Sequence, residues 1–181
     1  MKNRQSKIIF VSGVHGVGKT TLSKAIASKL KIQHCSASDL IKKYCNIEYT
    51  SKGGVKRIEQ NQEVLIKAVD VFLNENMNYI LDGHFCLLDE NSKITKIPLS
   101  VFKMMAPAGI IQLCDNSGNV YSRLRDGKRK IYNVELLDSI QIQEKRYSQK
   151  VSQELNIPYL SANPSADYKM ICEFIRATLC L

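Results

Sequence analysis

Nine residues near the start of the chain, GVHGVGKTT at positions 13–21, constrain its fold more than any other stretch. They fit the pattern Gly-x-x-x-x-Gly-Lys-Thr, from Gly13 to Thr20. The apolar run KIIFVS precedes the loop, and helical apolar spacing follows it as far as residue 30. This order predicts a buried strand, a glycine-rich turn and a helix, which is the context that the pattern requires.

The residue types in this loop suit a polyphosphate. Glycines permit dihedral angles that point successive backbone N–H groups inward, and the positive end of the following helix adds to them. Lys19 can reach the β- and γ-phosphates, and the Thr20 hydroxyl can ligate Mg²⁺. We therefore expect a nucleoside triphosphate to be held by Gly13, Val14, His15, Gly16, Val17, Gly18, Lys19, Thr20 and Thr21.

The rest of the chain alternates short apolar runs with segments of helical spacing. Strands are predicted over 7–12, 32–37, 78–83, 109–115 and 157–162, and helices over 18–30, 39–45, 55–76, 99–105, 119–125, 133–156 and 167–179. Ser38 could cap the second helix, and the residues DENS suggest a small hairpin before Pro98. Such alternation predicts an α/β domain over residues 1–181, with a five-stranded, mostly parallel sheet covered by helices on both faces.

Several polar residues fall at the carboxyl ends of the predicted strands, where parallel sheets bind ligands. Asp82 can orient Mg²⁺ directly or through water, or can serve as a turn or capping residue. His84 can position a water or an acceptor group, or can be an ordinary polar residue at a loop start. Asp39 can contact an acceptor or take a proton from an attacking hydroxyl, and can equally complement a helix dipole.

A basic cluster, RLRDGKRK at positions 123–130, follows the fourth predicted strand and its helix. Arginines here could clamp the transferring phosphoryl group, with Arg123 and Arg129 preferred, or could form a solvated basic loop. The formal net charge of +9 has two readings as well. It fits solvated lysines around a polyphosphate site, or a face that binds nucleic acid.

Composition narrows the class of protein. No run approaches the roughly 20 apolar residues that span a bilayer, so no membrane association is expected. The basic start leads directly into the first strand rather than a secretory signal, which favours a cytoplasmic protein. The cysteines show no metal-binding spacing and are expected to be reduced thiols at Cys35, Cys45, Cys86, Cys114, Cys172 and Cys180.

With these residues placed, the chain resembles the adenylate-kinase branch of the P-loop nucleoside monophosphate kinases. It is most similar to the small archaeal-type adenylate kinases and the nuclear adenylate-kinase-like ATPases. The stretches VSGVHGVGKTTL (11–22), SASDLIK (36–42), LDGH (81–84) and RLRDGKR (123–129) are similar to the family's phosphate loop, acceptor segment, Asp-x-His and short lid.

The resemblance implies MgATP as donor and a nucleoside monophosphate as acceptor, together with some ATPase activity. Ser38, Asp39 and Lys42 would bind the acceptor within a segment of about 36–76, and the lid would span about 123–133. Lys19, Asp82, His84, Arg123 and Arg129 would be catalytic, with Mg²⁺ held by Thr20 and Asp82. The chain differs from the family in having Lys42 in place of an arginine, which removes a bidentate phosphate contact.

Three functions therefore stay open from the sequence. The first is a kinase acting on a nucleoside monophosphate, as a monomer or small homo-oligomer. The second is a kinase acting on a hydroxyl, either a polynucleotide 5′ end or a small alcohol. The third is a regulatory ATPase that binds a protein or ribonucleoprotein partner.

Overall fold

The computed structural model describes residues 7–48, 58–74, 76–89, 93–126 and 133–181. Its strands are β1 (Ile8–Ser12), β2 (Gln33–Ser36), β3 (Tyr79–Asp82), β4 (Cys86–Leu88), β5 (Ile94–Lys96), β6 (Gly109–Leu113) and β7 (Tyr159–Ala162). Its helices are α1 (Lys19–Leu30), α2 (Ala37–Glu48), α3 (Ile58–Phe72), α4 (Leu99–Met105), α5 (Ser117–Asp126), α6 (Val134–Leu155) and α7 (Tyr168–Leu179).

Five strands form one parallel sheet in the order β2-β3-β1-β6-β7. The strand that leads into the glycine loop, β1, lies at the centre, and every one of its residues is buried. Parallel neighbours require crossover connections, and these are supplied by helices. All five strands therefore end at one edge of the sheet, where the glycine loop also lies.

Successive residues of β1 point to opposite faces of the sheet, and each face has its own core. Ile9 and Val11 pack with residues of α1, α5 and α7, such as Ile26 and Ile175. Ile8 and Phe10 belong to the second core, which is built with α3, α4 and the β4–β5 hairpin. Burial on both faces explains why β1 is continuously apolar instead of alternating.

The second core contains a cluster of three phenylalanines beneath the glycine-loop edge of the sheet. Phe10 meets Phe85 edge-on at 5.2 Å and Phe102 edge-on at 5.5 Å between ring centroids. Phe85 and Phe102 are stacked at 4.4 Å. These contacts join β1, the start of the hairpin and α4 into one wall, because aromatic pairs favour such geometries.

The predicted fold class is confirmed, and the five sheet strands and seven helices lie where the pattern placed them. The hairpin is confirmed as antiparallel β4 and β5, although residues 90–92 of its turn lie outside the described residues. Helix α3 ends at Phe72, earlier than predicted, because the Asn74 N–H donates to Tyr79 Oη at 2.8 Å and turns the chain into β3.

The second helix also differs from its prediction. Helix α2 begins at Ala37, directly after β2, so that Ser38 lies inside the first turn rather than at the cap. The Ser38 hydroxyl instead lies 2.9 Å from that of Ser36. Within the described part of the chain, none of the helices combines the length and apolar character needed to cross a membrane.

Candidate active site

The loop between β1 and α1 has the backbone that its glycines predict. Gly13 and Gly16 have φ angles of +143° and +80°, in the region that favours glycine. A Cβ on Gly13 would lie 2.6 Å from the Leu113 carbonyl oxygen, and one on Gly16 would lie 2.8 Å from Leu124 Cγ. The loop is therefore held tightly between β6 and α5, and both positions exclude a larger residue.

Lys19 occupies the centre of this loop. Its ammonium donates to the carbonyl oxygens of Gly13 at 2.7 Å and Val14 at 3.0 Å, and only 8% of the residue is exposed. The side chains of Val14 and Val17 are buried in the core, so they anchor the loop and leave phosphate binding to its backbone. The ammonium is thus already placed where the loop would surround a phosphate chain.

A cavity of about 760 Å³ opens from the loop. Its donor end is lined by His15, Gly16, Gly18, Lys19, Thr20 and Thr21, and its walls include Asp82, His84 and Arg123. It extends to the first two turns of α2, where Ser38, Asp39 and Lys42 line it. The sequence predicted residues for donor, metal and acceptor binding, and those that the structure describes line one continuous cavity. The exceptions are the loop residues Gly13, Val14 and Val17.

The far end of the cavity combines an apolar wall with a few polar groups. Side chains of α2, α3, α4 and the hairpin form the wall: Ile41, Leu65, Leu87, Ile97, Val101, Phe102 and Met105. Asn61 and Gln62 on α3 add amides. Gln62 is 5% exposed, and its Oε1 has no hydrogen-bond partner among the described residues. A buried amide oxygen of this kind favours a ligand that brings a donor.

Asp82 lies at the end of β3, directly beside the glycine loop, in register with Val11 of β1. It is buried, and one carboxylate oxygen lies 2.7 Å from Nε2 of His34 on β2. His34 is not among the residues that the motifs of the sequence indicate. The alternation of side chains in β2 could have found it, since His34 and Ser36 share a face next to Asp82.

Arg123 on α5 is docked against the loop. One guanidinium nitrogen donates to the Gly16 carbonyl oxygen at 3.0 Å, and another pairs with Asp115. Burial alone would raise the pKa of Asp115, but hydrogen bonds from Arg123 and the Asn116 N–H outweigh it and lower that pKa. Arg129, the other arginine expected to clamp phosphate, lies outside the described residues, as does most of the predicted lid.

His84 is packed between the loop and α6. The centroid of its ring lies 4.3 Å from that of the His15 ring, and its Nδ1 lies 3.3 Å from Oε1 of Glu144. Burial, and then the charge of Lys19, lower the pKa of His84 well below its ordinary value. Glu144 was not selected from the sequence, where it is one acidic residue within a long helix.

The residues near the loop fit a magnesium ion that is carried in with phosphates. The described residues hold no group of three or more His, Cys, Asp or Glu side chains that could ligate a metal by themselves. Thr20 and Asp82 nevertheless line the same cavity. Because Mg²⁺ keeps several waters and takes phosphate oxygens as ligands, one hydroxyl and one carboxylate suffice.

The parallel sheet, the glycine loop and the adjoining cavity define a P-loop kinase or ATPase. A family model for the AAA domain matches residues 12–141, and the chain belongs to this family. None of the curated proteins searched matches the sequence.

Solved structures of kinases share the fold. A gluconokinase from Sinorhizobium meliloti 1021 is 14% identical, with a TM-score of 0.54 over 98% of this chain and 94% of that one. A shikimate kinase from Bacteroides thetaiotaomicron is 18% identical, with a TM-score of 0.59 over 97% and 99%. A shikimate kinase from Acinetobacter baumannii, in complex with shikimate, is 14% identical, with a TM-score of 0.59 over 98% and 95%.

Proposed function

We propose that this protein transfers the γ-phosphate of MgATP to a nucleoside monophosphate. The observation that carries this proposal is the continuous cavity, which begins at the glycine loop. Its far end, called the chamber below, has the apolar wall formed by α2, α3, α4 and the hairpin, with the amides of Asn61 and Gln62 beside it. The family and the fold support phosphoryl transfer from a nucleoside triphosphate. The choice of acceptor rests on the lining of the chamber.

An apolar chamber suits a flat nucleobase better than a polyhydroxylated acid. The walls supplied by Leu65, Phe102 and Met105 would bury the faces of a base, and burial of apolar area favours binding. Gln62 would meet a polar group on its edge. Lys42 and Asp39, which lie 3.9 Å apart at the mouth of the chamber, would face the ribose and phosphate.

The donor side of the reaction needs positioning and charge neutralisation more than covalent chemistry. The loop N–H groups and Lys19 would hold the β- and γ-phosphates in line with the acceptor. Arg123 would stabilise charge on the transferring group. Thr20 and Asp82 would hold Mg²⁺, which neutralises phosphate charge when bound.

A hydroxyl acceptor is the second candidate, and Asp39 favours it. This carboxylate lines the cavity with three-quarters of its side chain exposed, so it could accept a proton from an attacking hydroxyl. Among the described residues of α2 and α3 that line the cavity, Lys42 is the one cation. A single lysine provides little positive charge for an acceptor that carries a phosphate, so this observation also favours an uncharged hydroxyl acceptor. Gluconokinase and shikimate kinase, both of this fold, act on small molecules, as their names state.

The first experiment supplies γ-labelled ATP and Mg²⁺ with ribonucleoside and deoxyribonucleoside monophosphates, shikimate, gluconate and a 5′-hydroxyl oligonucleotide. We expect label on one of the monophosphates. Label on a small alcohol or on the oligonucleotide would replace the proposal with the hydroxyl kinase. Release only as inorganic phosphate would contradict transfer and favour a regulatory ATPase. The Lys19→Ala protein serves as the control for contaminating kinases.

A further inference from the structure

Gln62 is a buried amide in the wall of the chamber, and its oxygen lacks a partner among the described residues. The residue lies on α3 and is 5% exposed. Its Oε1 is buried and accepts no hydrogen bond from the described part of the chain. An unpaired buried carbonyl oxygen costs free energy, so such atoms are rare in folded proteins. At the wall of a cavity, this oxygen indicates that its donor comes from a ligand.

Gln62 lies among apolar side chains of the chamber wall. Leu65 follows it by three residues on α3 and therefore shares its side of the helix. Phe102 and Met105 of α4 line the same cavity and belong with Leu65 to one buried core. Asn61, the other amide, projects about 100° around the helix from Gln62. In apolar surroundings, an amide discriminates strongly between a ligand that pairs with it and one that does not.

The Gln62 amide can turn its oxygen towards a ligand. The residue lines the cavity, while Oε1 is covered by protein atoms. The terminal torsion of a glutamine side chain is broad, so the amide plane turns at little cost where no bond holds the oxygen. An N–H group at this point of the wall would then give Oε1 its partner.

The nucleobases differ in what they offer such an oxygen. Adenine and cytosine carry an exocyclic amino group, which extends beyond the ring and presents N–H donors. Guanine, uracil and thymine carry a carbonyl oxygen at the corresponding position, and two acceptor oxygens that face each other repel. Their ring N–H lies flush with the ring edge beside that carbonyl, so it reaches a recessed oxygen less well. A recessed acceptor in an apolar wall therefore favours an amino base.

We propose that Gln62 determines acceptor specificity by accepting an N–H from the exocyclic amino group of the acceptor base. This inference rests on the proposed function, and it narrows the substrate class to monophosphates of amino bases. A base with a carbonyl group at that position leaves Oε1 unpaired in apolar surroundings and binds more weakly. Since Gln62 lies at the far end of the cavity from the glycine loop, ATP binding does not depend on it.

Two matched pairs of ligands test the inference: AMP with IMP, and CMP with UMP. Each pair exchanges one amino group for a carbonyl. Calorimetric titrations are made with a non-hydrolysable ATP analogue and Mg²⁺ present, so that the donor end is occupied. In at least one pair, wild type should bind the amino member at least about tenfold more tightly. If AMP is that member, purine riboside 5′-monophosphate, which lacks the amino group, should bind as weakly as IMP.

Gln62→Met removes the amide and nearly keeps the shape of the side chain. The amino member should lose affinity in this variant while the carbonyl member does not, so that the preference falls to near parity. Binding of the ATP analogue should not change. Gln149→Met, at an exposed position of α6, is the matched control and should keep the preference of the wild type. Equal weakening of both members by Gln62→Met would show a merely structural role and overturn the inference.

The same measurements separate this inference from the proposed function. Equal binding within both pairs by wild type would overturn the specificity assigned to Gln62, even if one of these monophosphates received label from ATP. A preference in binding without any transfer would support the role of Gln62 and contradict the proposed reaction. Binding of none of the four monophosphates would overturn both. The wild-type comparison decides the matter even if Gln62→Met does not fold.

Discussion

Lys19 stabilises the loop and provides its principal charge. Its ammonium donates to the carbonyl oxygens of Gly13 and Val14, which keeps it within the loop that would surround a phosphate chain. The buried position limits the rotamers that the long side chain can adopt, which lowers the entropy cost of holding phosphate. The same residue is therefore expected both to stabilise the loop and to bind phosphate.

Lys19→Ala should lower every ATP-dependent activity by more than about a hundredfold, since it removes a preorganised cation from the transferring phosphate. ATP turnover is the measurement, accompanied by a thermal unfolding curve that shows whether the protein is folded. Lys24→Ala, at an exposed position of α1, should retain normal turnover. A folded Lys19→Ala protein with unchanged turnover would contradict the assignment of the loop.

Asp39→Ala should reduce phosphoryl transfer more than ATP hydrolysis, because Asp39 lines the acceptor end of the cavity while Lys19 and Thr20 line the donor end. A loss of about a hundredfold or more in transfer would fit a proton-accepting role, and a smaller loss would fit acceptor positioning. Both rates are measured in one assay with labelled ATP. Equal losses would argue against an acceptor-side role, and Glu173→Ala, at an exposed position of α7, should change neither.

At the scale of elements, α6 connects distant parts of the site. It carries Glu144, whose carboxyl binds the loop after β3, and Gln141, whose amide donates to the Asp115 carbonyl oxygen at 3.0 Å. Tyr147 on the same helix donates to the Ile97 carbonyl oxygen at 2.7 Å, next to the hairpin. This one helix therefore helps to position the loop after β3, the end of the hairpin and the segment that leads into α5.

Asn133→Ala should lower the free energy of unfolding by about 1 kcal/mol. The Asn133 side chain caps α6 by accepting the Leu136 N–H at 2.8 Å, and alanine leaves that donor without its partner. Denaturant unfolding measures the loss. Asn133→Asp should retain most of the stability, because its carboxylate can accept the same bond. An alanine variant as stable as the wild type would show that the cap contributes nothing.

At the scale of the whole molecule, the two cores decide which groups meet solvent. The central sheet and its helices enclose Cys86 and Cys172, while Cys180 is exposed after α7. Burial raises the pKa of the Cys35 and Cys86 thiols to about 12. Since the thiolate is the reactive form, these two groups should be inert at neutral pH.

A thiol reagent at pH 8 should therefore label Cys180 at least about a hundredfold faster than Cys35 or Cys86 in the folded protein. Mass spectrometry of timed samples gives the rate at each cysteine. Cys180→Ser should remove the fastest phase and leave the others unchanged. Rapid labelling of Cys86 without denaturant would mean that the hairpin opens from the core.

The sequence predicted the fold well because its signals are local. The glycine loop identifies the end of β1, and apolar periodicity identifies the flanking strands and helices without knowledge of their partners. The ends of elements were less accurate, as at α3, where a bond from Asn74 to Tyr79 stops the helix. That bond depends on the position of β3, which periodicity does not report.

The sequence by itself determined the phosphate loop, the parallel sheet and the edge at which the site lies, because each follows from residue types at short spacing. Only the tertiary structure brought Glu144 to Phe85, 59 residues away, and gave Gln62 a place in the cavity wall. A glutamate or glutamine on a helix is usually a solvated residue, and no local pattern marks the few that are buried. Their surroundings are decided by which helix packs on which face of the sheet, a property of the whole chain.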